Sequence, residues 1–315
     1  MKKNFVNRCH VEGLLYQHKL EAKVTGENSK APGTSYITGT IDIATDNNLT
    51  NIVSIHFTYV TPVTSKNKEN RTYTALSNIV NGVYGSVMEH GEDKAVKLSV
   101  DTSFGINDFW DRSGKDVHAI RLEGGFVSLA SALNEDENKR NTFTCDMVIN
   151  HVYRVEADTE RQTEEYVNVG GYIFDFRNAV IPIDFRIFIP GGMDYFEGLN
   201  ASDNNPAFTS ISGNIIATTV IVKKEEETPW HTIAVREVKN TRKAYAITYA
   251  QPELYDWDSE DTITAADMSR LLSERQVYLA TKEKSDAEYR ANQQGSGAFG
   301  AAAATTVPVE GGFKF

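Results

Sequence analysis

Two stretches 128 residues apart carry the same apolar pattern: Ile52-Val53-Ser54-Ile55-His56-Phe57-Thr58-Tyr59 and Val180-Ile181-Pro182-Ile183-Asp184-Phe185-Arg186-Ile187. Upstream of each lies an aromatic, a glycine and a strand, Tyr36-Ile37-Thr38-Gly39-Thr40-Ile41 in one and Tyr166 to Gly171-Tyr172-Ile173 in the other. Each copy opens with an apolar run, 9–22 and 145–157, and closes with a glycine-bearing one, at Gly124 and Gly213. Four matched features in one order point to a duplicated unit, and a repeat found at this level constrains the whole fold. The polar run Asn134-Glu135-Asp136-Glu137-Asn138-Lys139-Arg140-Asn141 reads as the junction between copies.

Within each copy the side chains alternate apolar and polar, the period of two that turns one face of a strand to a core. Val53, Ile55, Phe57 and Tyr59 alternate with Ser54, His56 and Thr58, and further runs fall at 96–100, 117–129, 167–176, 181–189 and 208–222. One short helix interrupts them over 74–83, with Leu76, Ile79, Val80 and Val83 on one face and Gly82 as its stop. Strands in this number with one inserted helix predict a small closed Greek-key barrel. A two-sheet sandwich has similar strand spacing and is the rival. Small barrels need sharply bent strands, and Gly13, Gly124 and Gly213 sit mid-run where a bend would fall.

The expected organisation is a mainly β chain: barrel 1 at 1–132, barrel 2 at 142–224, a C-terminal β-hairpin and one long helix at 225–291, and a flexible tail at 292–315. The hairpin is read at 232–238 and 243–249, turning around Lys239-Asn240-Thr241-Arg242. Thr264 with Asp267 reads as an N-cap. Met268, Leu271, Leu272, Tyr278 and Leu279 form an apolar helix face that packs on a domain or on a second copy, giving self-association through helix 265–291. The tail is mostly Gln, Gly, Ser, Ala and Thr, too poor in apolar surface to order itself.

Composition narrows the function by exclusion. No run approaches the roughly 18–20 apolar residues of a membrane span, and the first residues lack the apolar core of a secretory signal. Two cysteines, Cys9 and Cys145, exclude a disulfide scaffold and read as reduced thiols in a cytoplasm. There is no phosphate-binding glycine loop, no His-Glu-x-x-His and no Gly-x-Ser-x-Gly, so the reading is of no enzyme. Seven scattered histidines lack metal-ligand spacing, and neither a metal nor a cofactor is implied.

The net charge of −11 argues against nucleic acid until its distribution is read. Residues 1–130 are net 0, 131–222 net −8, 223–250 net +2 and 251–315 net −5, so the first copy remains open to phosphate. Proteins that bind single strands combine aromatic faces for bases with Lys and Arg for phosphates. Tyr59 leads into a polar loop carrying Lys66, Lys68 and Arg71 and ending at Tyr73. Phe109, Trp110 and Arg112 occupy a second loop, where the two aromatics serve equally as a stacking pair or as a plug closing the barrel. Tyr172, Phe174 and Phe176 share one face and read as core rather than as a base platform.

With His10-Val11-Glu12-Gly13, Ile120-Arg121-Leu122-Glu123-Gly124, the repeated barrel, the C-terminal helix and the tail, the chain resembles the tandem oligonucleotide-binding-fold (OB) single-stranded-DNA-binding proteins of bacterial viruses. The resemblance implies coating of single-stranded DNA in phage replication or recombination, without catalysis. It also implies a tail that recruits replication proteins, with Phe313 and Phe315 as anchors, although Val309-Glu310-Gly311-Gly312-Phe313-Lys314-Phe315 is hardly acidic. Two other classes stay open: a virion structural or assembly β-protein, and an enzyme accessory domain binding carbohydrate or peptide.

Overall fold

The computed structural model describes residues 5–111, 113–158, 164–227 and 233–296; for 219–227, 233–241 and 292–296 the backbone alone is described. The first copy consists of β1 (Asn7–Val24), β2 (Ser35–Ala44), β3 (Ile52–Val60), helix α1 (Arg71–Val80), a single turn α2 (Val87–His90), β4 (Lys97–Trp110) and β5 (Asp116–Leu129). β1 pairs antiparallel with β2, β2 with β3, β3 runs parallel to β5, β5 lies beside β4, and β4 returns antiparallel to β1. The ring is closed, so the barrel is present and the sandwich is not. Val53, Ile55 and Phe57 fill its interior, and Leu76 and Ile79 of α1 join the same core. The helix starts earlier than its periodicity suggested, and Val83 lies beyond it, exposed.

The second copy repeats the circuit with β6 (Asn141–Val155), β7 (Tyr166–Phe174), β8 (Val180–Ile187), α3 (Pro190–Gly198), β9 (Ala207–Glu227) and β10 (Ile233–Ala250). β6 pairs with β7, β7 with β8, β8 runs parallel to β10, β10 pairs with β9, and β9 closes on β6. A helix between the third and fourth strands of a five-stranded closed ring, found twice, is the OB arrangement. α3 has no counterpart in the sequence reading. It opens with Pro190 at its first turn and buries Met193 and Phe196, three residues apart on one face.

The close strand crossings explain two of the three expected glycines. A Cβ on Gly13 would lie 2.0 Å from the Ala44 carbonyl oxygen, and one on Gly213 would lie 1.9 Å from that of Ala246. At the third bend the crossing is made one residue later than expected. Gly125, at φ +117°, leaves no room for a Cβ against the Asp101 carbonyl, whereas Gly124 faces open space.

Several expectations need correction. The C-terminal hairpin is β9–β10 itself: Lys239, Asn240, Thr241 and Arg242 pair mid-strand with Ile221, Val220, Thr219 and Thr218. β10 is the closing strand of barrel 2, which therefore runs to Ala250 rather than ending at 224. A polar stretch makes a strand wherever a neighbour satisfies its backbone, and β9 does so residue for residue.

Nor are the barrels separate beads. Asn7, Arg8, Cys9, His10 and Val11 of β1 pair with Cys145, Thr144, Phe143, Thr142 and Asn141 of β6, so one ten-stranded sheet runs through both. Phe104 of barrel 1 meets Phe143 and Phe185 of barrel 2 at centroid distances of 5.8 and 5.9 Å. The polar junction is packed down: Arg140 is buried, its guanidinium donating to Asn47 Oδ1 at 2.8 Å and to the Asn134 carbonyl.

Finally, Phe109 and Trp110, expected in a loop, end strand β4, while Phe176, expected in the core, is 86% exposed on the β7–β8 turn.

The last element is α4 (Ala265–Ser296). Its cap is as read: the Asp267 N–H donates to Thr264 Oγ1 at 3.0 Å, and the Thr264 hydroxyl donates back to the Asp267 carboxylate at 3.0 Å. Met268 and Leu271 pack with Phe5, Phe174, Val180, Phe208 and Ile263. The chain divides into a larger unit, residues 1–106 and 120–272, and a smaller one, 107–119 with 273 onward. In the smaller unit buried Asp108 accepts from the Arg275 guanidinium at 2.8 and 3.2 Å, with His118 Nδ1 2.6 Å away. Of the expected tail, 292–296 continues α4 as backbone; the rest, with Phe313 and Phe315, lies outside the described residues.

Candidate nucleic-acid interface

Barrel 1 presents an aromatic corner. Tyr36 opens β2 and Tyr59 comes near the end of β3, because the two strands are antiparallel with Ile37 opposite Val60. Their rings lie 4.7 Å apart at 40°, and Tyr59 is 49% exposed. Phe126, half exposed on β5, lies four residues past Leu122, as Tyr59 lies four past Ile55, the partner of Leu122 across the parallel pair.

The chain leaves Tyr59 into a loop with a defined shape. Val63 bridges to Glu69, the Thr64 N–H donates to the Lys68 carbonyl at 2.8 Å, and Asn70 ties back to Thr61 and Pro62. Asn67 takes the left-handed conformation at φ 54°, which asparagine tolerates in a tight turn. This geometry exposes Lys66 and Lys68 at the tip and Arg71 at the start of α1, and none of the three has an acidic partner among the described residues. Tyr73 does not belong to this lip: it is half-buried and packs against the barrel core. The sequence grouped it with the basic loop because it is close in number, but its place in α1 turns it inward.

The central outer face of barrel 1 is polar and self-paired. Arg121 holds Glu123, Gln17 donates to Asp42 at 2.7 Å, and Ser54 donates to the same carboxylate at 2.6 Å. Burial, then the neighbouring Arg121 charge, lower the His56 pKa from its ordinary value. Charges already satisfied by one another offer little to a phosphate.

Barrel 2 has an aromatic pair at the corresponding corner. Tyr166 opens β7 and Phe188 follows β8, with centroids 5.7 Å apart, and the Arg186 guanidinium sits 4.6 Å over the Tyr166 ring. Tyr153, 51% exposed, and His151 stand on β6, their rings stacked at 13° and 6.2 Å. Sequence reasoning missed His151, Tyr153, Arg186 and Phe188; the repeat, carried from Tyr36 to Tyr166 and on to the end of the third strand, was the signal that could have found the corner. Cation supply differs from barrel 1. Arg154 is taken up by Glu197 at 2.7 Å and Glu165 at 2.9 Å, hydrogen bonds that hold its guanidinium protonated beyond its usual range.

Phe109 and Trp110 lie in the smaller unit, partly buried, with the Trp110 N–H donating to the Asp286 carboxylate at 3.2 Å. Arg112 lies outside the described residues.

The chain matches the model of the YorF family over residues 6–285. No curated protein matches it. Among solved structures it is similar to a deletion variant of the single-stranded DNA binding protein from Thermus aquaticus, at 9% identity and a TM-score of 0.46, covering 82% of this chain and 98% of that one.

Proposed function

The chain belongs to the YorF family, and we propose that it is a non-catalytic single-stranded-DNA-binding protein whose first barrel makes the main contacts. The observation that carries this reading is the Tyr36–Tyr59 ring pair, with Tyr59 half exposed on the strand that leads into the loop of Lys66, Lys68 and Arg71, three exposed cations free of acidic partners among the described residues. Aromatic faces stack only on bases not already stacked in a duplex, each worth about 1–3 kcal/mol. Three free cations within a segment of net charge 0 make a locally positive lip, whereas the second copy, at −8, repels a phosphate chain overall. The likeness of His10-Val11-Glu12-Gly13 and its companions to bacterial-virus proteins supports a role in phage replication or recombination in the host cytoplasm. Recruitment of replication proteins through Phe313 and Phe315, and self-association through α4, belong to the same reading.

The test is an anisotropy titration of a labelled single-stranded oligonucleotide against its duplex, over a series of salt concentrations. The single strand binds more tightly, and K66A/K68A/R71A weakens binding and flattens the log–log salt slope by about 2, at about −0.7 per phosphate contact. Tyr59→Ala weakens binding without changing that slope. Absence of binding at low salt, or a folded triple variant that binds as the parent does, overturns the reading and favours the virion-protein alternative.

A further inference from the structure

Asn168 on β7 is 4% exposed, yet its side-chain Nδ2 has no hydrogen-bond partner among the described residues. Val167 and Val169 on either side are fully buried in the core, so strand alternation turns Asn168 to the outer face. Across the sheet it lies between Tyr153 of β6 and Arg186 of β8. A buried donor left unpaired costs about 1–3 kcal/mol, so it calls for a physical reason. Tyr153 stands directly opposite Asn168 in the β6–β7 register, its ring at 13° to that of His151 with centroids 6.2 Å apart. One row along, His151 lies over Gly170, where a Cβ would be 1.8 Å from its Nε2, and meets Asp184 at 3.1 Å.

From this geometry we infer that the outer face of barrel 2 holds a base-reading subsite, in which a nucleobase stacks on Tyr153 and its carbonyl oxygen accepts from the Asn168 amide. The inference rests on the single-stranded-DNA reading and adds to it a hydrogen bond to the base that stacking alone does not give. Stacking tolerates any base, because every base has a π-face. A buried amide donor adds a requirement for an acceptor on the ring, because an isostere without one leaves the donor unpaired. Tyr153 swings off Asn168 as the base arrives and becomes one wall of the site, with Arg186 on the other side able to meet the adjoining phosphate.

The experiment compares an oligothymidylate with the same oligonucleotide carrying, at every position, the non-polar difluorotoluene isostere of thymine, which keeps the shape and loses the carbonyl acceptors. The wild-type chain binds the isostere strand about tenfold more weakly, the loss of one buried hydrogen bond. N168L, which replaces the amide with a side chain of similar volume, binds both strands alike, and Tyr153→Ala weakens both. Salt slopes do not change, since no phosphate contact is altered. Thermal melts show that each variant is folded; should N168L fail to fold, N168D, which removes the donor, takes its place in the comparison. A wild type that binds both strands equally, or a folded N168L that still prefers thymine, overturns the subsite and leaves the first-barrel reading intact. A wild type that binds neither strand overturns the reading beneath both.

Discussion

Cys9 and Cys145 lie on adjacent strands at the seam between the barrels, and both are almost completely buried. Burial pushes both thiols far above their ordinary range, and the thiolate is the form that reacts. The native protein is therefore expected to resist a thiol-specific reagent at neutral pH and to release two equivalents only on unfolding. Reaction of either cysteine in the folded state, followed by absorbance, would contradict the packing of the seam. At this scale the sequence was a fair guide to surface charge and a poor one to company. Lys66, Lys68 and Arg71 are exposed as their loop suggested, but Tyr73 turned inward and Asn168 carried no mark of its unpaired amide. Such facts depend on residues brought together from distant parts of the chain, which no local pattern records.

Secondary-structure elements were readable wherever their own periodicity decides them. β3 and β8 alternate cleanly because each has one face in a barrel and one in solvent. α3 was missed because Pro190-Gly191-Gly192 is poor helix-forming sequence, and the helix is held by Met193 and Phe196 in the core instead. The unbroken run of β10 was missed because its polar middle resembles a turn when its partner is unknown. α4 is the opposite case, since its start is encoded locally by Thr264 and Asp267. Thr264→Ala should cost about 1 kcal/mol in urea unfolding, the usual loss for a removed N-cap acceptor. Thr264→Ser should restore most of it, and an unchanged midpoint in the alanine variant would mean that Met268 and Leu271 alone fix the helix start.

At the scale of the whole molecule, the duplication was legible and the union of its copies was not. A repeat reports what each copy contains; the β1–β6 seam and the aromatic cluster across it are contacts between copies. Phe143 opens β6 in the second copy, yet it touches Phe104 of the first at 5.8 Å and Phe185 of the second at 5.0 Å, with almost none of its surface exposed. Tyr245 of β10 completes the cluster 4.7 Å from Phe104. Truncating a buried phenylalanine to alanine costs about 3–5 kcal/mol through lost transfer energy and the cavity left behind. If the barrels were independent, Phe143→Ala would destabilise barrel 2 and leave barrel 1 at its own midpoint, producing two transitions. Because the cluster and the sheet are shared, the variant should unfold in one transition shifted as a whole, with tyrosine signals from Tyr59 in barrel 1 and Tyr166 in barrel 2 moving together. Calorimetry of the variant decides between these outcomes: a second, unshifted transition assigned to barrel 1 would mean that the seam joins the barrels without coupling them.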